Sequence, residues 1–414
     1  MERLPTTEPP VRHLPLAALL AAEVISVTGS AMTKLALPWF VLVTTGSPAR
    51  MSIVLATQMA AMALAGLPGG GIATRIGARR MMLLGNLTGA ALIALIPLLH
   101  ASGALSFPVL LVIVFAVGAP YIPYQASQVV ILPDLVGDDD QLLTKANALL
   151  LGANRTTVLL GAPIAGVLIG LIGATAVLWV DSGTFLIAFL LIALLVPRGK
   201  AIPETTSAQG LFVGLRTLWT DRLLRTWTVT VSAFEMGWQL IFAAIPVLVF
   251  FSYAHHPQVA GILFGTFGGG ALAGNLLVLP LLRHRAPLRL AVIGKVIQAL
   301  TLWVLVGTSQ VVVVGAVLAI AGACTGLIGG PTTAVQTKRV PAELRARTLS
   351  AYLTITLVAG AIGLFIGAPV MQAAGVRTVF LLVALAHTIG GFFFVRVTLR
   401  ASKLPAAVKS EELV

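Results

Sequence analysis

The stretch from Leu142 to Gly173 constrains this chain more than any other: it runs for roughly 30 almost wholly apolar residues, enough at 1.5 Å per residue to cross a bilayer. In hydrocarbon every backbone N–H and C=O must be satisfied within the segment, so such a run folds as a helix. Inside it Ala162, Gly166 and Gly170 form a small-residue stripe, Pro163 interrupts the hydrogen-bond ladder, and Arg155 sits near the middle. A near copy lies downstream, where Gly360, Gly363 and Gly367 precede Ala368 and Pro369. From Pro163 to Pro369 the separation is 206 residues, half of a 414-residue chain.

The repetition extends through the sequence. A shift of 208 sets Gly29 on Gly237, Ala36 on Ala244 and Pro38 on Pro246. The same shift sets Leu64-Ala65-Gly66 on Leu272-Ala273-Gly274, and Pro123, Ala126 and Gln128 on Pro331, Ala334 and Gln336. One constant offset through several segments, prolines included, indicates a duplicated unit. Hydropathy predicts twelve spans, at 14–44, 50–74, 81–100, 105–129, 142–172, 174–197, 226–253, 257–282, 287–308, 310–335, 346–371 and 376–398. The expected fold is therefore an all-α integral membrane protein of twelve transmembrane helices in two pseudo-symmetric six-helix bundles. The N-terminal bundle covers 1–197, a linker 198–225, and the C-terminal bundle 226–414.

Hydrophobic residues make up 58% of the chain and charged ones 10%, which suits a polytopic membrane protein. A net charge of +13 is compatible with a nucleic-acid partner, but the positions of the charges give another reason. Of 27 Lys and Arg, only Arg50 and Arg377 fall on one side of the twelve spans and Lys34, Arg155 and Lys295 within them, leaving 22 on the other side. Such a bias predicts both termini in the cytoplasm and explains the charge without a nucleic-acid partner. In the linker, Leu211, Leu215, Leu218 and Trp219 share a helical face beside Arg216, Arg222 and Arg225, as expected of a helix on the inner membrane surface.

Covalent catalysis, metal and cofactor binding find no support in the sequence. Asp138-Asp139-Asp140 has no His or Cys nearby and reads as solvated loop and helix-start charge. The six histidines show no zinc-binding spacing, and only His387 lies well inside a span. Cys324 is alone, so no internal disulfide forms.

What remains is a short set of ionisable residues at membrane depth, each costing about 2.5–3.5 kcal/mol to place there on insertion scales. Glu23 and Glu235 both lie nine residues into their spans, at similar depth and one helical turn apart under the shift, so the two carboxyls are expected to face one cavity and to carry protons. Arg155 cannot give up its charge and suits a fixed cation, either for one of those carboxyls or for an anionic solute group. Lys34 falls on the same face as Glu23, nearer the outside, where it either lines a vestibule or extends outward. Lys295 is close enough to the inner surface to extend towards it, and Asp181 reads as a helix-packing acceptor or a charge partner. Gln58, Tyr121, Tyr124, Gln125, Gln128, Trp238, Gln239 and Gln336 lie on the expected cavity helices and suit a bulky, partly apolar solute.

Several motifs are shared with a known family. Ala36-Leu37-Pro38 is followed by Thr45-Gly46-Ser47-Pro48; a glycine- and arginine-rich loop runs through Gly70, Arg75, Gly77, Arg79 and Arg80; Ala146-Asn147-Ala148 opens span 5. Asp181 with Phe185 marks span 6, and Val340-Pro341-Ala342-Glu343-Leu344-Arg345 enters span 11. Over about 14–398 the chain resembles the major facilitator superfamily, and within it the drug:proton antiporter group of macrolide-efflux-type and siderophore-exporter-like proteins. It departs from that pattern where Thr74 replaces the loop motif's Asp, where span 4 lacks an arginine, and where span 5 reads Gly-Ala-Pro.

The resemblance implies a monomeric, multi-pass inner-membrane carrier that exports a small hydrophobic or amphipathic compound against protons by alternating access, without a cofactor. It also implies gating or tight packing by the loop residues and by Gly161, Pro163, Gly166, Gly363, Gly367 and Pro369. An uptake symporter on the same fold and a non-transporting membrane sensor are the alternatives at this stage.

Overall fold

The computed structural model describes residues 13–136, 140–197, 209–341 and 344–403, with the backbone alone at 66–75, 151, 153–159 and a few helix ends. The N-terminal half comprises α1 (His13–Thr45), α2 (Pro48–Ile76), α3 (Ala78–Ala101), α4 (Phe107–Gly118), α5 (Tyr121–Val130), α6 (Leu132–Val136), α7 (Asp140–Ile172) and α8 (Ala174–Leu195). A helix α9 (Gln209–Thr220) follows. The C-terminal half comprises α10 (Arg222–Ser252), α11 (Pro257–Leu281), α12 (Pro287–Leu302), α13 (Val304–Gly307), α14 (Val311–Arg339) and α15 (Arg345–Lys403).

Among the described residues ten helical stretches are long and apolar enough to span a bilayer. The last of them is two spans, because α15 breaks at Gly375, whose φ of 76° is open to glycine without strain. The remaining span is α7, so the twelve expected crossings are present. Span 4 is divided into α4, α5 and α6 around Pro120 and Pro133, which lack the N–H that continues a helical ladder. Helix α10 begins at Arg222, where Asp221 caps it by accepting from the Leu223 and Leu224 N–H groups at 2.7 and 3.0 Å. Helix α9 falls within the segment 198–225; it turns Gly214 and Leu218 onto the C-terminal bundle and leaves Trp219 exposed.

The halves meet unevenly. One apolar core runs through both, from Met32–Leu42 of α1 to Ala243–Val249 of α10 and Phe380 of α15. Towards the face where α1 begins and α15 ends, two smaller cores form instead. Leu19, Met82, Leu132, Ala146 and Ile192 belong only to the N-terminal half, and Leu218, Leu224, Val340 and Ala351 only to the linker helix and C-terminal half. The bundles are therefore joined at the face of the Gly46, Gly173 and Gly375 turns and packed separately at the chain-end face.

The join is built from small residues. A Cβ on Gly166 of α7 would stand 2.8 Å from Pro257 O and 3.0 Å from Gly261 Cα of α11, and one on Gly265 would stand 2.8 Å from Pro163 Cγ. Close backbone approach of this kind is how helices associate where the hydrophobic effect gives no drive.

Candidate functional site

Glu23 on α1 is 1% exposed, and helices α3 and α5 bring polar groups to it. Gln128 Nε2 donates to Glu23 Oε2, and the Tyr124 hydroxyl reaches the same oxygen at 3.5 Å. Tyr124 and Gln128 are one turn apart on α5 and so share a face. Asn86 of α3 holds Tyr124 in place, its Nδ2 donating to Tyr124 Oη at 3.2 Å and to Met82 O at 3.0 Å, while its Oδ1 accepts from Ser26 Oγ at 3.3 Å. The tyrosine ring occupies space left by Gly85, where a Cβ would stand 2.8 Å from it.

A second buried carboxylate lies along the same helix. Asp181 of α8, 1% exposed, accepts from Thr33 Oγ1 and from Thr184 Oγ1, the latter at 3.3 Å. Gly29 of α1 faces this pair, and any side chain there would collide with Asp181 and Thr184. Glu23, Lys34, Gln58, Tyr121, Tyr124, Gln125 and Asp181 line one cavity of about 140 Å³ within the N-terminal half, with Val27, Met62, Ile93 and Phe185 supplying apolar wall. At about 30 Å³ per water this holds only a few waters. Drug-sized ligands fill roughly 300–1,000 Å³, so such a solute needs the helices to part. A larger cavity of about 490 Å³, lined by Gly46, Pro48, Gln372 and Arg377 among others, lies at the joined face and contains none of the buried carboxyls.

Other expected residues are placed differently. Glu235 accepts from Gln239 Nε2 at 2.7 Å and, with Gln336, faces Tyr352. Trp238 is 8% exposed and packs among Phe242, Phe267 and His387. Lys295 does not extend to the surface: it is 3% exposed, with Nζ 3.3 Å from the Phe234 ring centroid. The side chains of Arg155 and Arg75 lie outside what is described, as do the surroundings of Gly70.

The small-residue stripes divide. Pro163 and Gly166 pack against α11 across the halves, but Gly161 faces Ala31 of its own half. Gly363 and Gly367 meet Met236 and Leu240 of α10, again within one half, and Pro369 is exposed. Arg79 joins no inter-half latch in this state. Its Nε and Nη2 donate to Val196 O and Ala193 O, both at 2.7 Å, and so satisfy the end of α8. Gly77, at φ 89°, turns the chain into α3, and Arg80 is exposed.

Reading the sequence for charge passed over Ser26, Thr33 and Asn86, which complete the two carboxylate sites. Asn86 had a usable signal, an amide in an apolar span. Ser26 and Thr33 had none, since hydroxyls within helices more often bond their own backbone.

A family model described as Major Facilitator Superfamily matches residues 19–364 and, separately, 236–413. The overlap of those two ranges agrees with a duplicated unit. Among curated proteins, the chain is 25% identical over 380 residues to the multidrug efflux pump Tap of Mycolicibacterium fortuitum, covering 90% of this chain and 92% of that one. It is 26% identical over 395 residues to the multidrug efflux pump Tap of Mycobacterium tuberculosis (strain ATCC 25618 / H37Rv), covering 92% and 93%. Among solved structures, the nucleoside transporter NupG superposes with a TM-score of 0.77 at 13% identity, over 94% of this chain and 99% of that one. An inward-facing, occupied bacterial homologue of the human lysosomal transporter Spinster gives 0.73 at 16% identity, over 94% and 97%. At these identities the structures speak for the fold.

Proposed function

We propose that this chain, which belongs to the major facilitator superfamily and is a transporter, not an enzyme, exports a small hydrophobic or amphipathic compound in exchange for protons. The observation that carries the reading is Glu23, a buried carboxyl held by Gln128 and Tyr124 at the edge of a cleft whose remaining wall is largely apolar. A carboxyl removed from water favours its protonated form unless donors support the charge, so a shift of those donors between conformations loads and unloads a proton. Export is supported by the printed function of the Tap relatives, which match almost the whole chain.

The uneven join between the halves supports alternating access. In this reading the chain-end face is cytoplasmic, the orientation that the Lys and Arg distribution favours, and the described state opens inward. Rocking the bundles about the α7–α11 contact would close that face and open the other. A monomer in the inner membrane suffices, since each chain holds both halves of the pathway.

The test is transport in proteoliposomes, with a panel of lipophilic drugs and dyes, driven by an imposed pH gradient. Gradient-driven movement is expected in wild type and lost in Glu23→Gln, whereas solute counterflow at equal pH persists in the variant. Gradient-driven movement of equal size in Glu23→Gln would remove the carboxyl from the coupling scheme. Comparison of inside-out with right-side-out vesicles separates export from uptake.

A further inference from the structure

The cavity beside Glu23 is lined by a lysine as well as by acids. Along α1 the steps from Glu23 to Val27, Ser30 and Lys34 are four, three and four residues, so these side chains share the helix face that lines the cavity. Lys34 stands about 16 Å along the helix axis from Glu23. Its neighbours Met32, Thr33, Leu35 and Ala36 are buried, whereas Lys34 is exposed. Protein therefore encloses the other faces of α1 at this level, and the lysine opens onto the cavity rather than onto lipid.

Both acids of the cavity are served by built-in donors. Glu23 Oε2 accepts from Gln128 Nε2 and lies 3.5 Å from the Tyr124 hydroxyl, and the two oxygens of Asp181 accept from Thr33 and Thr184. Lys34, by contrast, makes no ion pair and no hydrogen bond among the described residues. Gln58 of α2 lines the same cavity, and among the described residues its side-chain amide has no hydrogen-bond partner either. An ammonium with three donors and an amide with two thus line the cavity without a protein acceptor.

A cation at membrane depth is costly unless it is paired or hydrated. A solute that displaces water from the cavity removes the hydration. An acidic group on the solute replaces it with a charge-assisted hydrogen bond, whereas a neutral solute leaves the ammonium drier than before. A cationic solute adds repulsion to the same loss. Met62, Ile93 and Phe185 supply the wall for an apolar body.

We propose that Lys34, assisted by the Gln58 amide, is the anchor for an acidic group on the solute, so that the preferred solute is a lipophilic organic anion, a carboxylate or phosphate on a largely apolar body. The proposal rests on the export reading above in taking this cavity as part of the solute's path. Glu23 then answers to the proton and Lys34 to the solute, at separate levels of one face of α1.

The experiment compares three probes that share one apolar body: pyrenebutanoate, its methyl ester and pyrenebutyl trimethylammonium. Each is titrated onto the full-length protein in nanodiscs of zwitterionic lipid, without a pH gradient. Binding is read by energy transfer from tryptophan to pyrene and corrected for partitioning into protein-free nanodiscs. The carboxylate is expected to bind about tenfold more tightly than the ester, and the ammonium probe least tightly. In Lys34→Gln the advantage of the carboxylate should vanish, and in Lys34→Arg it should remain. An unchanged thermal midpoint shows that each variant has folded. Should Lys34→Gln not fold, mass spectrometry of the wild-type protein reads acylation of Lys34 by an amine-reactive reagent, which the carboxylate should slow and the ester should not. Equal binding of carboxylate and ester in wild type, an advantage that survives in Lys34→Gln, or a Lys34 that the carboxylate does not protect overturns the proposal. Failure here leaves proton coupling through Glu23 standing, and failure of gradient-driven transport leaves the solute preference standing.

Discussion

Gln372 Oε1 accepts a hydrogen bond from Ser47 Oγ at 2.9 Å and from the Ala49 N–H at 3.3 Å, tying the α1–α2 turn to the opposite half of the chain. These contacts are exposed, where a hydrogen bond adds about 0.5 kcal/mol net, the low end of the usual range. Gln372→Ala, which removes both, is therefore expected to shift the balance between closed and open joined faces by about fivefold. The check is the labelling rate of a cysteine introduced at Met371, buried at 2% in this state, with an impermeant thiol reagent. An unchanged rate would show that the glycine packing alone holds this face.

Gly166 packs against backbone of the other half. Its Cβ would meet Pro257 O at 2.8 Å, whereas around Gly183 nothing lies within 4 Å. Gly166→Leu should abolish transport while the protein still elutes as a folded species, and Gly183→Ala should transport normally. Transport by Gly166→Leu at the wild-type rate would mean that the helices never approach this closely during the cycle.

Asn86 supports the carboxylate site without touching Glu23. Replacing it with Leu leaves the Ser26 and Tyr124 hydroxyls short of partners, at a cost of about 1–3 kcal/mol for buried polar groups. Asn86→Leu should lower the thermal midpoint and slow gradient-driven transport several-fold, and Asn86→Gln should restore part of both. Equal loss in the two variants would point to packing rather than to the amide's hydrogen bonds.

At the chain-end face, Asp221 both caps α10 and pairs with Arg339 at 2.8 Å. Removing an N-cap carboxylate costs about 0.5–2 kcal/mol, and a solvent-accessible ion pair contributes under about 1 kcal/mol. Asp221→Ala should therefore lower the thermal midpoint more than Asp221→Asn, which keeps the cap and loses the charge. The difference between Asp221→Asn and wild type should shrink in high salt. A salt-independent difference would assign the effect to the cap.

The sequence by itself determined the crossings, the duplication and the depth of each buried charge. Apolar run length, a constant offset and 1.5 Å per residue are local quantities, and Pro163, Pro369, Glu23 and Asp181 can be placed from them alone. Which way each side chain turns about its helix axis was decided only in the tertiary structure. A span that is apolar all round carries no stripe to mark its inner face, because lipid and protein interior are equally apolar. That is why Lys295 turns inward onto Phe234, and why Gly363 meets its own half while Gly166 meets the other.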